Sequence, residues 1–143
     1  MIKAFIDTNV LLDLFIESRD PKGLSRTIFA AARAHLIEIV LTSQSILDAA
    51  YVAQDRAGVK LDVFKNALLG MFNYVNISHI DSFEMRDALL SDTPDIEDNA
   101  QYAHAESEAC DVLITGDRAF IERKTPGAIL MMTPEEFVTR MQA

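Results

Sequence analysis

Four aspartates, Asp7, Asp48, Asp98 and Asp117, are the side chains through which this sequence can do chemistry. Asp7 directly follows an apolar run, in Phe5-Ile6-Asp7-Thr8-Asn9-Val10-Leu11-Leu12. Asp117 closes another, in Val112-Leu113-Ile114-Thr115-Gly116-Asp117. Asp98 stands in a helix start, Asp95-Ile96-Glu97-Asp98-Asn99-Ala100, and Asp48 lies inside a helical pattern flanked by Ile46, Leu47, Ala49 and Ala50. These are four acids from four separate elements. If they converge, their mutual repulsion calls for a cation. A donor set made only of oxygen suits Mg²⁺ or Mn²⁺. One or two such ions lower the pKa of a water, orient a phosphate and neutralise charge at a leaving oxygen. That is the chemistry of phosphodiester hydrolysis.

Each acid also has a plain structural reading. Asp7 can cap a helix starting near Thr8, and Asp117 a short one through Ala119 and Phe120. The acids at 95, 97 and 98 favour a helix dipole, and Glu97 and Asp95 either assist Asp98 or only solvate that helix start, the second reading being the favoured one. Asp48 can belong to an exposed stripe with Gln44, Tyr51 and Asp55. Asn9 can hydrogen-bond Asp7 or serve as an ordinary cap. Asp13 is expected on the surface and Asp111 at the opposite end of the sheet. His35, His79 and His104 share no ligand spacing and are read as structural or exposed. No Ser-His or Cys-His arrangement for a nucleophile stands out.

The elements that must position these acids follow from hydrophobic patterning. Ile2–Ile6, Ile37–Leu41, Tyr74–Ile77, Val112–Thr115 and Ala128–Met132 are short apolar runs, and most are too continuous for half-exposed strands. Helical stripes alternate with them: Leu24, Ile28 and Ala31; Leu61, Phe64, Leu68 and Phe72; Ile96, Ala100 and Ala103. Thr133-Pro134-Glu135-Glu136 is a helix start with Pro in its first turn. Thr42 or Ser43 can cap the helix that carries Asp48, and Asp95 the one that carries Asp98. Strands alternating with helices predict an α/β fold with a mainly parallel sheet and helices on both faces. In such a sheet ligands bind beyond the carboxyl ends of the strands, where Asp7 and Asp117 fall.

Composition sets the outer limits. The 143 residues suffice for one domain with its own core, and with 5 Gly and 4 Pro no linker is visible, so residues 1–143 are expected to form a single domain. Half the residues are apolar and 24% are charged, which argues against disorder. A net charge of −9 argues against gripping nucleic acid through a broad basic patch. It does not argue against a nucleic-acid enzyme whose acids hold metal. One cysteine, Cys110, excludes an internal disulfide and a cysteine-built zinc site. No stretch approaches the roughly 18 apolar residues of a membrane span. The expectation is a soluble cytoplasmic protein.

The string Phe5-Ile6-Asp7-Thr8-Asn9-Val10-Leu11-Leu12-Asp13 resembles the opening of PIN-domain ribonucleases. Asp98-Asn99-Ala100-Gln101-Tyr102-Ala103, followed by Asp111 through Phe120 with its Thr115-Gly116-Asp117, resembles the later block of that family. The match in order and spacing runs from residue 1 to about 133. The resemblance implies a three-layer α/β/α sandwich with a five-stranded parallel sheet, and an Mg²⁺- or Mn²⁺-dependent ribonuclease. It implies Asp7, Asp98 and Asp117 as metal carboxylates, with Thr115 or Thr8 as a supporting hydroxyl. Small members are often VapC-like toxins, so an RNA substrate, an antitoxin partner and a homodimer are implied as well. One departure stands out: the helix-borne second acid of the family is usually Glu, and here Asp48, one methylene shorter, takes its place. It would bind directly or through water.

For phosphate contact the best basic candidates are Arg118, Arg123 and Lys124, close behind Asp117. Two other readings compete. A dehalogenase-type phosphatase would carry Asp-x-Asp after the first strand, where this chain has Asp7-Thr8-Asn9, and a receiver domain's mid-chain acceptor Asp and late Lys are not in register. A protein-binding module with a vestigial PIN-like site is the stronger alternative, favoured by the Asp48 departure and the acidic surface.

Overall fold

The computed structural model describes residues 1–123 and 127–143, so Lys124 lies outside the described residues. Each of the five apolar runs forms a strand: β1 (Ile2–Ile6), β2 (Ile37–Thr42), β3 (Val75–Ser78), β4 (Val112–Ile114) and β5 (Leu130–Met132). They make one sheet in the order β3-β2-β1-β4-β5, and every pairing is parallel. β1 is central: Ala4 pairs with Ile39 on one side and Val112 on the other. The continuous apolar runs follow from this position. Ala4 and Ile6 face one core cluster, and Phe5, between them, faces the other. All three are fully buried.

The helices are α1 (Thr8–Phe15), α2 (Leu24–Arg33), α3 (Ser43–Asp55), α4 (Leu61–Met71), α5 (Ser82–Leu90), α6 (Ile96–Ser107), α7 (Arg118–Arg123) and α8 (Pro134–Met141), with a single 3₁₀ turn at Glu17–Arg19. Side chains of α1 to α4 and α8 share the core cluster on one face of the sheet, while Ala105 of α6 and Phe120 of α7 pack on Phe5, Val40 and Leu113 on the other. This is the expected three-layer α/β/α sandwich. No helix among the described residues is long and apolar enough to cross a membrane.

Strand ends and helix starts are joined by the same residues. Asp7 caps α1, Thr42 caps α3 and Thr133 caps α8, each accepting a backbone N–H of the first turn. Asp117 does so for α7, taking the N–H groups of Ala119 (2.9 Å) and Phe120 (3.2 Å). A polar residue that ends an apolar strand therefore also satisfies the otherwise orphan donors of the next helix.

Three helical expectations are corrected. In α4 the buried face is Phe64, Leu68 and Met71, and Leu61 and Phe72 are exposed. In α6 Ile96 is exposed, and the buried residues are Asn99, Ala100, Gln101, His104 and Ala105. A stripe of apolar residues does not trace this helix because its buried polar groups find partners: the Asn99 amide donates to the carbonyls of Thr93 and Ala88. The third is α5, absent from the sequence reading although Asp81-x-x-Glu84 forms a complete capping box at its start.

Candidate active site

Asp7 is 5% exposed, and its carboxylate is held on both oxygens. Oδ1 accepts the Thr8 N–H at 2.6 Å. Oδ2 accepts the Thr115 hydroxyl at 2.7 Å and the Asn9 amide at 3.1 Å. Thr115 Oγ1 in turn accepts the Asp117 N–H at 3.0 Å, and Asn9 Oδ1 accepts the Gly116 N–H at 3.1 Å. The ends of β1 and β4 are thus tied through two side chains, and Asp117 is fixed relative to Asp7. Thr8 plays a different part, donating from its hydroxyl to Ser45 Oγ at 2.8 Å and linking α1 to α3.

The acids feel one another across this end of the sheet. Burial pushes the Asp7 carboxyl above its ordinary range; hydrogen bonds from Thr115, Gln101 and Thr8 pull it back, and the Asp117 charge raises it again. Asp98 is pushed up to about 6, first by burial, then by Asp95 and Asp7; Arg123 opposes this, and Asp117 adds to it. Glu97 is also raised, by burial, then by the charges of Asp48, Asp7 and Asp95. Three of the four aspartates, Asp7, Asp98 and Asp117, therefore belong to one electrostatic cluster. Asp48 joins it through Glu97.

Two concave surfaces flank Asp7. Thr8, Thr42, Gln44, Ser45, Asp48, Glu97 and Gln101, with Ile80, Met85, Ile96 and Ala100, line a cleft of about 140 Å³ between α3, α5 and α6. Asn9, Asp13, Arg19, Gly116 and Asp117 line an open depression on the other side. Asp13 is half-buried there and bound by Arg19 at 2.9 Å, which corrects its expected surface position. A third cavity, lined by Leu14, Arg33, His35, Asn66 and Tyr74 among others, lies by the amino ends of β2 and β3 and carries no acid.

Among the described residues, Arg123 reaches the acids of α6. Its guanidinium pairs with Asp98 and lies 4.0 Å from Asp95. Arg118 is instead exposed and stands 3.8 Å from Glu136 of α8.

Sequence reasoning missed two residues here. For Glu97 the sequence favours solvation over assistance to Asp98, yet it lines the cleft with Asp48. Gln101 was not singled out, yet it is 3% exposed, lies one turn from Glu97, and donates to it at 3.4 Å. The signal was present: 97 and 101 are four apart, so they share a helix face.

A Ser-His arrangement also exists, contrary to the sequence reading. His104 Nδ1 lies 2.9 Å from Glu84 Oε1, and Nε2 lies 2.7 Å from Ser78 Oγ. His104 is 2% exposed and packs edge-on against Phe5. The string joins α5, α6 and β3 from within, so the structural role expected of His104 holds. Burial pushes Glu84 up, but hydrogen bonds from the Asp81 backbone, His104 and Ser107 outweigh it and hold the carboxyl below its usual range.

The donor chemistry of the acidic end fits a hard divalent cation: it is all oxygen, mutually repelling, and partly withdrawn from water. Among the described residues no three of these carboxylates are already gathered around one point. An ion would have to draw them together.

Comparison with known proteins places this geometry. A family model described as PIN domain matches residues 3–119. Ribonuclease VapC1 of Aquifex aeolicus (strain VF5) is 30% identical over 96% of this chain and 94% of its own. Two solved structures share the fold. Mycobacterium tuberculosis VapC20, described as a sarcin-ricin loop cleaving toxin, superposes with a TM-score of 0.64 over 82% of this chain and 92% of its own, at 13% identity. VapBC2 from Rickettsia felis, bound to a DNA fragment from its promoter, superposes with a TM-score of 0.63 over 92% and 98%, also at 13% identity.

Proposed function

The chain belongs to the PIN-domain family, and on that premise we propose that it is an endoribonuclease dependent on Mg²⁺ or Mn²⁺. The observation that carries this reading is the coupling of Asp7 to Asp98 and Asp117, three acids from three elements, at the carboxyl end of the sheet. Asp7, Asp98 and Asp117 would hold the cation, with Asp48 contributing directly or through water. When bound, the cation supplies charge neutralisation and activates water for attack on phosphorus.

The rest is done by the chain. Thr115 and Asn9 hold the Asp7 carboxylate in one orientation, and the backbone at 119 and 120 fixes one oxygen of Asp117. A site supported in this way is preorganised by its neighbours. Among the described residues Arg123 places a positive charge on Asp98 and is our candidate for phosphate contact, with Arg118 standing against Glu136 instead. With a chain charge of −9, RNA affinity is expected to be weak without the cation and to fall steeply with salt.

The names of the relatives support a toxin paired with an antitoxin: VapC1 is a ribonuclease, and VapBC2 is solved as a complex. The cytoplasm as its site of action and a homodimer are part of the same reading. The ion pair of Arg123 with Asp98 favours the second reading, a protein-binding module whose site no longer takes a metal.

The test is cleavage of a mixed-sequence RNA by purified protein, with Mg²⁺, with Mn²⁺ and with chelator, for wild type and Asp7→Asn. Metal-dependent cleavage confined to wild type supports the nuclease. Equal cleavage by a pure Asp7→Asn protein sinks the assignment of Asp7, and no cleavage by either favours the binding module.

A further inference from the structure

The cavity at the amino ends of β2 and β3 lies at the other end of the sheet from the acids, and its lining has the opposite character. It measures about 470 Å³ and is lined by Arg33 and His35 from the end of α2, Asn66 and Gly70 of α4, and Asn73 and Tyr74 just before β3. That volume suits a small organic ligand and is far more than a bare inorganic anion fills. No acid lines it, in a chain whose net charge is −9. Lys3, Arg19, Lys22, Arg118 and Arg123 each face an acid. Arg33 and His35, among the described residues, have neither an ion pair nor a side-chain hydrogen bond.

The two helix ends that meet here are closed by their own backbone. The N–H groups of Ala34, His35 and Leu36 take the carbonyls of Ala30, Ala32 and Ala31, and those of Phe72, Asn73 and Tyr74 take Leu69, Gly70 and Met71. The Asn73 amide gives one N–H to the Gly70 carbonyl at 3.1 Å. A guanidinium, an imidazole, a free amide and a phenol are left facing the cavity. Two backbone features point the same way. His35 closes α2 in the left-handed conformation, at φ 59°, where glycine would carry no strain. Strained residues of this kind cluster at ligand sites. Gly70 stands inside α4, where any residue but proline forms helix better, yet no steric need explains it. A β-carbon there would meet no neighbouring atom within 4 Å, and that open space adjoins the cavity.

We propose that this cavity is a second binding site, for a nucleoside monophosphate, independent of the acids and of any metal. Arg33 and His35 take the phosphate, whose oxygens match the paired donors of a guanidinium. The half-buried Tyr74 gives the base a ring to stack on, and the Asn66 amide offers its edge both a donor and an acceptor. Gly70 leaves room for the nucleoside. The inference goes beyond the nuclease reading and does not rest on it.

The experiment is calorimetry of the full chain with AMP, GMP, CMP and UMP in the presence of chelator, for wild type, Arg33→Gln, Gly70→Leu and Asp7→Asn. Inorganic phosphate and the free nucleosides are titrated in parallel, and thermal unfolding of each variant accompanies them. The proposal expects at least one monophosphate to bind wild type and Asp7→Asn equally, and more tightly than either inorganic phosphate or its own nucleoside. Arg33→Gln should bind it at least about tenfold more weakly, the loss of one charged hydrogen bond. Gly70→Leu should lose binding while unfolding no earlier than wild type, since leucine is the better helix former. If Gly70→Leu does not fold, Arg33→Gln, a change at the surface, decides. No monophosphate binding by wild type, or unchanged affinity in either folded cavity variant, overturns the proposal. So does inorganic phosphate binding as tightly as the nucleotide, or loss of binding in Asp7→Asn, which would put the nucleotide at the acids.

Discussion

The Thr115 hydroxyl donates to Asp7 Oδ2 at 2.7 Å and accepts the Asp117 N–H at 3.0 Å, so one side chain ties the acid after β1 to the acid after β4. Thr115 is wholly buried, and its partner is a carboxylate also withdrawn from water. A hydrogen bond to a charged group contributes about 1.5–3 kcal/mol. Thr115→Val, equal in shape, should lose about that much stability in urea unfolding at pH 7, and Thr115→Ser should lose far less. Equal losses for Val and Ser would mean that packing of the methyl group dominates.

Asp98 gives the protein a pH dependence with a definite sign. Its carboxyl is raised in the folded state to about 6, from an ordinary value of 3.8. The folded chain therefore holds a proton that the unfolded chain releases. The stability this contributes is complete below about pH 4 and is lost as pH rises through about 6. Asp98→Asn should flatten the fall in metal-free stability between pH 4 and 7, measured by urea midpoints across that range. Metal binding runs the other way: the proton must leave Asp98, so Mn²⁺ affinity should rise across the same window. A midpoint profile identical in wild type and Asp98→Asn would contradict this.

Arg123 competes for the same carboxylate. Its guanidinium pairs with Asp98 at the rim of the site, at 35% side-chain exposure. Such pairs contribute up to about 1 kcal/mol. At pH 8 and low salt, Arg123→Gln should bind Mn²⁺ up to about fivefold more tightly than wild type, because the acids lose an internal counter-ion. RNA binding should weaken in the same variant if Arg123 also meets phosphate. Calorimetry with Mn²⁺ and filter binding with RNA separate the two effects.

The Glu84–His104 pair supports α6 from behind. Both side chains are less than a tenth exposed. His104→Leu would remove the ring's hydrogen bonds to Glu84 and Ser78 and should cost about 1–3 kcal/mol, measured by urea unfolding at pH 7. Because the Glu84 carboxyl is held below its ordinary 4.5 in the folded state, its contribution is present above that value and is lost as pH falls through the lower one. Glu84→Gln takes up no such proton, so its deficit against wild type should shrink as pH falls, and its acid unfolding should begin at lower pH than a neutral-pH stability comparison alone would suggest, as urea midpoints measured from pH 7 downward would show.

Much of this arrangement is legible in the sequence because apolar strands buried on both faces are unambiguous when short and continuous. Asp7, Thr42, Asp117 and Thr133 stand out for a related reason: a polar residue at the end of such a strand must do something, and here it caps a helix. The approach of Asp7 to Asp117 follows once β1 and β4 are neighbours. The inner face of α6 is not legible in this way. Asn99, Gln101 and His104 are buried polar residues whose contacts with Thr93, Glu97 and Glu84 no hydrophobic period encodes. Glu97 was missed for the same reason: three acids at a helix start look alike until the fold shows which one faces the cleft. Choosing Arg123 over Arg118 required the packing of α7 against α6 and α8.

The most direct test of the central claim is thermal unfolding of metal-free protein titrated with Mn²⁺, for wild type and Asp7→Asn. A ligand that binds only the folded state adds about 2.7 kcal/mol at a hundred times its dissociation constant. The account predicts a Mn²⁺-dependent rise in the unfolding temperature of wild type that disappears in Asp7→Asn. An unchanged unfolding temperature in wild type, or the same rise in both proteins, would mean that the acids around Asp7 do not form a metal site.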